Sequence, residues 1–156
     1  MADLLRFTAS LVSQGRHRLY TLTVPSEVLA RTCFVIRRDE DPKEGFQRLL
    51  DAKRAQQIAD YIDNGLGTIP NSIVLSAQKE ADFKYVRRTK TVEFLDTSRA
   101  FLILDGHHRV FWFMKAKSDS RVPVVVYNDL SRADETKLFI DINTKQRPVP
   151  NELLLD

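Results

Sequence analysis

The stretch Phe101-Leu102-Ile103-Leu104-Asp105-Gly106-His107-His108-Arg109 changes character partway along: four apolar residues give way to an acid, a glycine, two histidines and an arginine. From Val110 to Lys117 the chain then carries neither glycine nor proline. This predicts a short buried strand that turns sharply into a helix, with its polar residues gathered at the junction. A helix starting there directs its first free N–H groups into the turn. Gly106 would let the backbone approach an anion closely, and Arg109 offers a planar charged fork. The same residue types also serve plain structural ends, aspartate as an N-cap, glycine in a turn and histidines on a surface.

The rest of the chain bounds what that junction can belong to. At 156 residues, with 43% hydrophobic and 29% charged residues, it reads as one soluble globular domain. The domain is expected over 1–149, with 150–156 the start of a truncated helix, because Asn151 to Asp156 follows Pro150 like a first helical turn and a half. The 24 Lys and Arg against 21 Asp and Glu give a net charge of only +3, so nucleic-acid contact would have to rest on a local basic face. Cys33 is the single cysteine, which excludes an intrachain disulfide and a cysteine-based zinc site and fits a cytoplasmic location. No apolar stretch is long enough to span a bilayer, and the amino terminus has no signal-peptide core.

Alternation predicts strands over Leu4 to Val12 and Arg18 to Val24, paired as a hairpin about Gln14-Gly15. A short helical segment follows from Pro25, and Phe34 to Ile36 reads as a strand or core segment. Glu44 to Asn64 has helical spacing in Phe46, Leu50, Ile58, Tyr61 and Ile62. Arg54 lies on that apolar stripe, four residues from Leu50 and from Ile58. It is read either as a snorkelling or ion-paired structural residue or as a phosphate-binding arginine. Ser72 to Ala77 reads as a buried strand, followed by a polar excursion from Lys79 to Lys90 that holds Arg87, Arg88 and Lys90. Phe83 and Tyr85 in that excursion are expected to face a core. Thr91 to Leu95 and Phe101 to Leu104 are expected to pair across Asp96-Thr97-Ser98, and Val122 to Tyr127 supplies another strand. Ser131 caps an amphipathic helix to Ile142 anchored by Leu138, Phe139 and Ile142. Asn143 to Pro148 then gathers amides and the cations Lys145 and Arg147.

Four of these segments, in this order, resemble the DGQHR-domain family, whose best-known members are the DndB proteins associated with DNA phosphorothioate modification. They are Arg48 with Arg54-x-x-x-Ile58-Ala59-x-Tyr61-Ile62, then Ile69-Pro70-Asn71-Ser72-Ile73-Val74, then Asp105-Gly106-His107-His108-Arg109, and Phe139-Ile140-Asp141-Ile142-Asn143-Thr144-Lys145-Gln146. His107 stands where the family usually has glutamine, which keeps a polar donor and acceptor but introduces titration near neutral pH. The family in turn looks like the ParB and sulfiredoxin superfamily, in which such a turn holds nucleotide phosphates. Sulfiredoxin chemistry needs a cysteine in this turn. His107 occupies it and Cys33 is remote in sequence, so a reductase is rejected.

The resemblance implies an α+β fold, a ParB/sulfiredoxin-like mixed sheet with packed helices. It also implies a nucleotide-dependent DNA-binding protein of a DNA-modification or phage-defence system, with hydrolysis of ATP, GTP or CTP left open. In that reading Gly106, His108 and Arg109 bind phosphate, Arg54 and Asn143 complete the pocket, and Asp105 or His107 positions water. Asp105 would also hold Mg²⁺ of a bound NTP through water. Arg87, Arg88, Lys90, Lys145 and Arg147 would contact DNA. The competing readings are a non-enzymatic DNA-binding regulator and a protein-interaction module docking a modification or restriction enzyme through Trp112 or the last helix. Direct metal-site spacing, a Walker lysine motif and a Gly-x-Ser-x-Gly elbow are all absent from the sequence.

Overall fold

The computed structural model describes residues 2–35, 72–113 and 120–145. The helix expected over Glu44 to Asn64, with Arg54 on it, lies outside the described residues, as do Ile69 to Asn71, Arg147 and the segment 150–156.

Within the described residues the chain forms an α+β arrangement of two sheets and three α-helices. The strands are β1 (Leu4–Thr8), β2 (Ser10–Gln14), β3 (His17–Pro25), β4 (Cys33–Phe34), β5 (Ile73–Ala77), β6 (Lys84–Val86), β7 (Thr91–Leu95), β8 (Phe101–Asp105) and β9 (Arg121–Tyr127). The helices are α1 (Ser26–Thr32), α2 (His107–Phe113) and α3 (Arg132–Lys145). One sheet has the order β2-β3-β9-β5-β8-β4, mixed in direction, with β9/β5 and β8/β4 parallel and the other pairs antiparallel. The other is a small antiparallel sheet in the order β1-β7-β6.

Two expected pairings are corrected. The run from Leu4 to Val12 is not one strand. It divides at Ala9, which is small and buried and donates its N–H to Lys90 O at 3.0 Å, so β1 joins the small sheet and only β2 forms the hairpin with β3. Nor do β7 and β8 pair with each other: β7 lies between β1 and β6, and β8 between β5 and β4. Burial explains the separation. Phe101 to Leu104 are buried on both strand faces, which needs a position inside a covered sheet, whereas β7 buries only Val92 and Phe94 on one face. The excursion after Lys79 contains one turn of 3-10 helix and β6, with Phe83 buried and Tyr85 half-buried, as its aromatic content leads one to expect.

The main core lies between the two sheets. Phe94 from β7 meets Phe101 from β8 edge-on at 4.9 Å between ring centroids, Phe83 stacks on Phe94, and Tyr20 of β3 meets Phe83 at 5.2 Å. Leu75, Ile103, Val124, Val110 of α2 and Leu29 of α1 complete that side. The other face of β8 is covered by α3, whose Phe139 packs on Leu102 and Leu104. Ser131 caps this helix as expected, its Oγ accepting from the Asp134 N–H at 3.0 Å. No helix of the described residues is long and apolar enough to cross a membrane.

Candidate functional site: the turn from β8 to α2 and the basic hairpin

The junction that stands out in the sequence is a strand-to-helix turn in three dimensions. β8 ends at Asp105, Gly106 bends the chain with φ +99°, and α2 begins at His107. Val110 N–H donates to Gly106 O at 3.0 Å, so the capping position belongs to Gly106 and Asp105 stays the last residue of the strand. Freed from capping, the Asp105 carboxylate faces Arg109 one helical turn on, at 3.5 Å from its Nη2. Arg109 folds back over the glycine. A Cβ built on Gly106 would lie 3.0 Å from that Nη2 and 3.1 Å from Ile73 Cγ1, closer than ordinary contact, so a side chain here would force these neighbours to give way.

This placement controls the charge. Burial lowers the Arg109 pKa, and the nearby Asp105 carboxylate works in the opposite direction. The guanidinium stays cationic at any physiological pH but is largely desolvated. His107 occupies the first turn of α2 with its Nε2 buried, and the backbone of His108 follows it. Asn143 sits on the last turn of α3, donating from its amide to Phe139 O at 2.7 Å. The first turn of α3 is tied to Ser76 and Gln78 and its middle rests on Leu102 and Leu104, so the helix travels along β8 toward the Gly106 end before reaching Asn143.

Cys33 is placed far from this chemistry. It pairs with Phe101 at the opposite end of β8, about 13 Å from Asp105 at the rise of an extended strand. Burial pushes its thiol up to about 12, with only a weak opposing contact from Thr32. The described residues contain no group of three or more His, Cys, Asp and Glu arranged for a metal ion.

The second cluster is the β6–β7 connection. Arg87, Arg88 and Lys90 are exposed there, and Lys90 adopts φ +54° to close the turn. Lys145 is the last residue of α3. The β6–β7 connection belongs to the small sheet and the turn to the large one; along the large sheet Asp105 is level with Val74, Val125 and Thr21, whereas Arg18 lies past the Leu19–Tyr127 pair. Three inter-strand steps and a few residues of rise separate Gly106 from Arg18 by about 20 Å.

The family model of DndB, described as DNA-sulfur modification-associated, matches residues 7–155. The chain belongs to the DndB family. No curated protein matches it. Both the turn and the basic hairpin lie within the residues matched by this DNA-sulfur modification-associated family.

Sequence reasoning missed a third polar group in this DndB chain. Glu135 of α3 is buried; its Oε2 accepts from Ser76 Oγ and from Gln78 Nε2 at 2.8 Å, and its Oε1 lies 3.3 Å from Arg132. The available signal was Ser76 itself, a hydroxyl in the middle of an apolar strand that must find a partner once buried.

Proposed function

We propose that this DndB-family chain is a nucleotide-dependent DNA-binding component of a DNA-sulfur modification system, built on a ParB/sulfiredoxin-like arrangement. The observation that carries the nucleotide half is the Arg109 fork, desolvated and held over a glycine whose positive φ and close neighbours disfavour a side chain. Incoming phosphate oxygens would draw the fork from Asp105 and meet the N–H groups of the α2 first turn. His108 and Asn143 would reach the same anion, with Arg54 completing the pocket. A bound NTP would supply the phosphates and a scissile γ-phosphoryl group. Asp105, released from Arg109, is then the carboxylate able to hold Mg²⁺ through water, and Asp105 or His107 is the group able to orient an attacking water. DNA would be met by Arg87, Arg88 and Lys90 together with Lys145 and Arg147, and the modification proteins are its expected partners.

The test is a nucleotide-binding titration with and without duplex DNA. Arg109→Ala is expected to weaken nucleotide binding by at least ~1.5 kcal/mol, the lower end for a charge-assisted contact. Unchanged affinity in a folded variant would remove the phosphate role of Arg109. Neutralising Arg87, Arg88 and Lys90 together is expected to lower the slope of log affinity against log salt by about 0.9 for each lost phosphate contact, leaving nucleotide binding intact. The same DNA affinity and slope in the triple variant would reject this surface.

One observation favours a second reading, a DNA-binding regulator that uses no nucleotide. Asp105 already compensates the Arg109 charge, so the turn is electrostatically complete as it stands. Salt-dependent DNA binding indifferent to every nucleotide is what that reading requires.

A further inference from the structure

We infer that the DNA-contacting surface is not the β6–β7 turn alone but a phosphate track that continues across the sheets to Arg18 on β3, with the Tyr20 and Tyr85 rings as its floor. This rests on the DNA-binding reading above and names residues that reading does not use.

Strand periodicity builds the track. Tyr20 points from β3 into the space between the two sheets, so Arg18, two residues earlier, lies on that same side at the sheet end. Tyr85 leans on Tyr20 from the small sheet, with centroids 5.2 Å apart, and Arg87 follows Tyr85 by two residues. The strand ends of two different sheets therefore bring Arg18 and Arg87 to one edge, on either side of a tyrosine pair. Their electrostatics agree with this placement. Burial raises the Tyr20 pKa, while Arg18 and Arg87 both act on it in the opposite sense, so both charges reach one phenol. Tyr20 consequently remains a protonated hydroxyl donor at neutral pH.

Beside this floor lies a groove of about 370 Å³ lined by Arg16, Arg18, Tyr20, Asn128, Asp129 and Asp134. Asp134 neutralises Arg16 through a 2.7 Å contact, which fixes the β2–β3 turn against α3. Asp129 is the acid that faces Tyr20 from the β9 side. Arg18 and Arg87 therefore stand with Asp129 about Tyr20, and Arg88 and Lys90 continue the exposed basic turn that Arg87 begins, a local excess of positive charge in a chain whose total is only +3. Cations on either side of a tyrosine pair have the sign and donor chemistry that a nucleic-acid backbone requires, and membership of a DNA-sulfur modification-associated family makes duplex DNA the occupant.

The experiment is a fluorescence-anisotropy titration of a labelled DNA duplex over a salt series, using the full chain. Arg18→Ala should weaken binding about tenfold, the scale of one charge-assisted contact, and lower the log-log salt slope by about 0.9. Arg18→Lys should restore the slope. Arg121→Gln, which removes the same charge at the Gly106 end of β9, should leave affinity and slope unchanged. If wild type binds duplex and Arg18→Ala binds with equal affinity and slope, the track is wrong while DNA binding stands. If wild type binds no duplex at any salt, both fall. An effect of Arg18→Ala confined to an RNA hairpin of the same length would also overturn the assignment to DNA.

Discussion

Gly106→Ala is expected to destabilise the protein by about 2–5 kcal/mol, combining strain from a side chain at positive φ with overpacking of a filled site. The backbone there holds φ +99°, and the new methyl would meet Ile73, a fully buried residue of β5, at 3.1 Å and the Arg109 guanidinium at 3.0 Å. Arginine is long enough to swing aside. Ile73 is not, because it is packed between the two sheets with β9 beside it. Relief by moving Arg109 would also pull the fork from Asp105 and from the turn, so the anion binding proposed for this turn should be lost even where the variant folds. Gly15→Ala is the internal comparison. That glycine also has positive φ, +57°, but a Cβ there meets nothing within 4 Å, so only the left-handed strain of about 1–2 kcal/mol applies. Urea unfolding of the two variants separates the terms. A Gly106 variant that loses no more than the Gly15 variant would show that β5 and α2 yield around the turn, and the close-packed description of the site would be wrong. Domains of this kind have only about 5–15 kcal/mol in total, so the larger figure approaches complete unfolding.

That turn is also where the sequence was most legible, for a physical reason. The change from a continuous apolar run to Asp105-Gly106-His107-His108-Arg109 is local, and strand burial, glycine and helix onset are each set by residues within a few positions. The same holds for the Ser131 cap and for β5 and β9. What could not be read was pairing between distant segments. β7 and β8 are separated by a short polar connection and each has good strand composition, so a hairpin was the economical reading. The choice between sheets was instead made by which faces could be covered, Phe94 and Val92 on one side for β7 and four consecutive apolar residues for β8. Ala9 is similar, since nothing in Leu4 to Val12 signals that its midpoint passes from one sheet to the other. For the site, the turn residues came from the sequence. The juxtaposition of Arg18 with Arg87 did not, because it depends on two sheets whose association leaves no periodic trace.

Glu135→Ala is expected to cost about 2–5 kcal/mol, although no sequence motif points to it. The carboxylate is buried and accepts from Ser76 Oγ and Gln78 Nε2, and Ser76 itself has no solvent exposure. Removing it leaves the buried Ser76 hydroxyl without its acceptor, worth about 1–3 kcal/mol when unsatisfied, and takes one of two acceptors from the Gln78 amide, which still donates to Ser76 O at 3.0 Å. Arg132 contributes little to that sum. Its side chain is 43% exposed and turns to water once Glu135 is gone. Glu135→Gln tests the same idea from the other side, because its amide oxygen still accepts from Ser76 and its volume is kept; it should cost less than about half of the alanine variant. Ser76→Ala in the Glu135→Ala background should add little, giving a coupling of about 0.5–3 kcal/mol in a double-mutant cycle. Strict additivity of the two alanine changes would mean that Ser76 and Glu135 are satisfied separately. Because this bond ties the first turn of α3 to β5, its loss should loosen the helix that carries Asn143 and, with it, Asp134, which anchors the β2–β3 turn through Arg16. Glu135→Ala is therefore the single substitution expected to disturb both ends of the large sheet at once, and hydrogen exchange should show faster exchange at the α3 amides and at Gln14 to Arg18 while those of β8 stay protected.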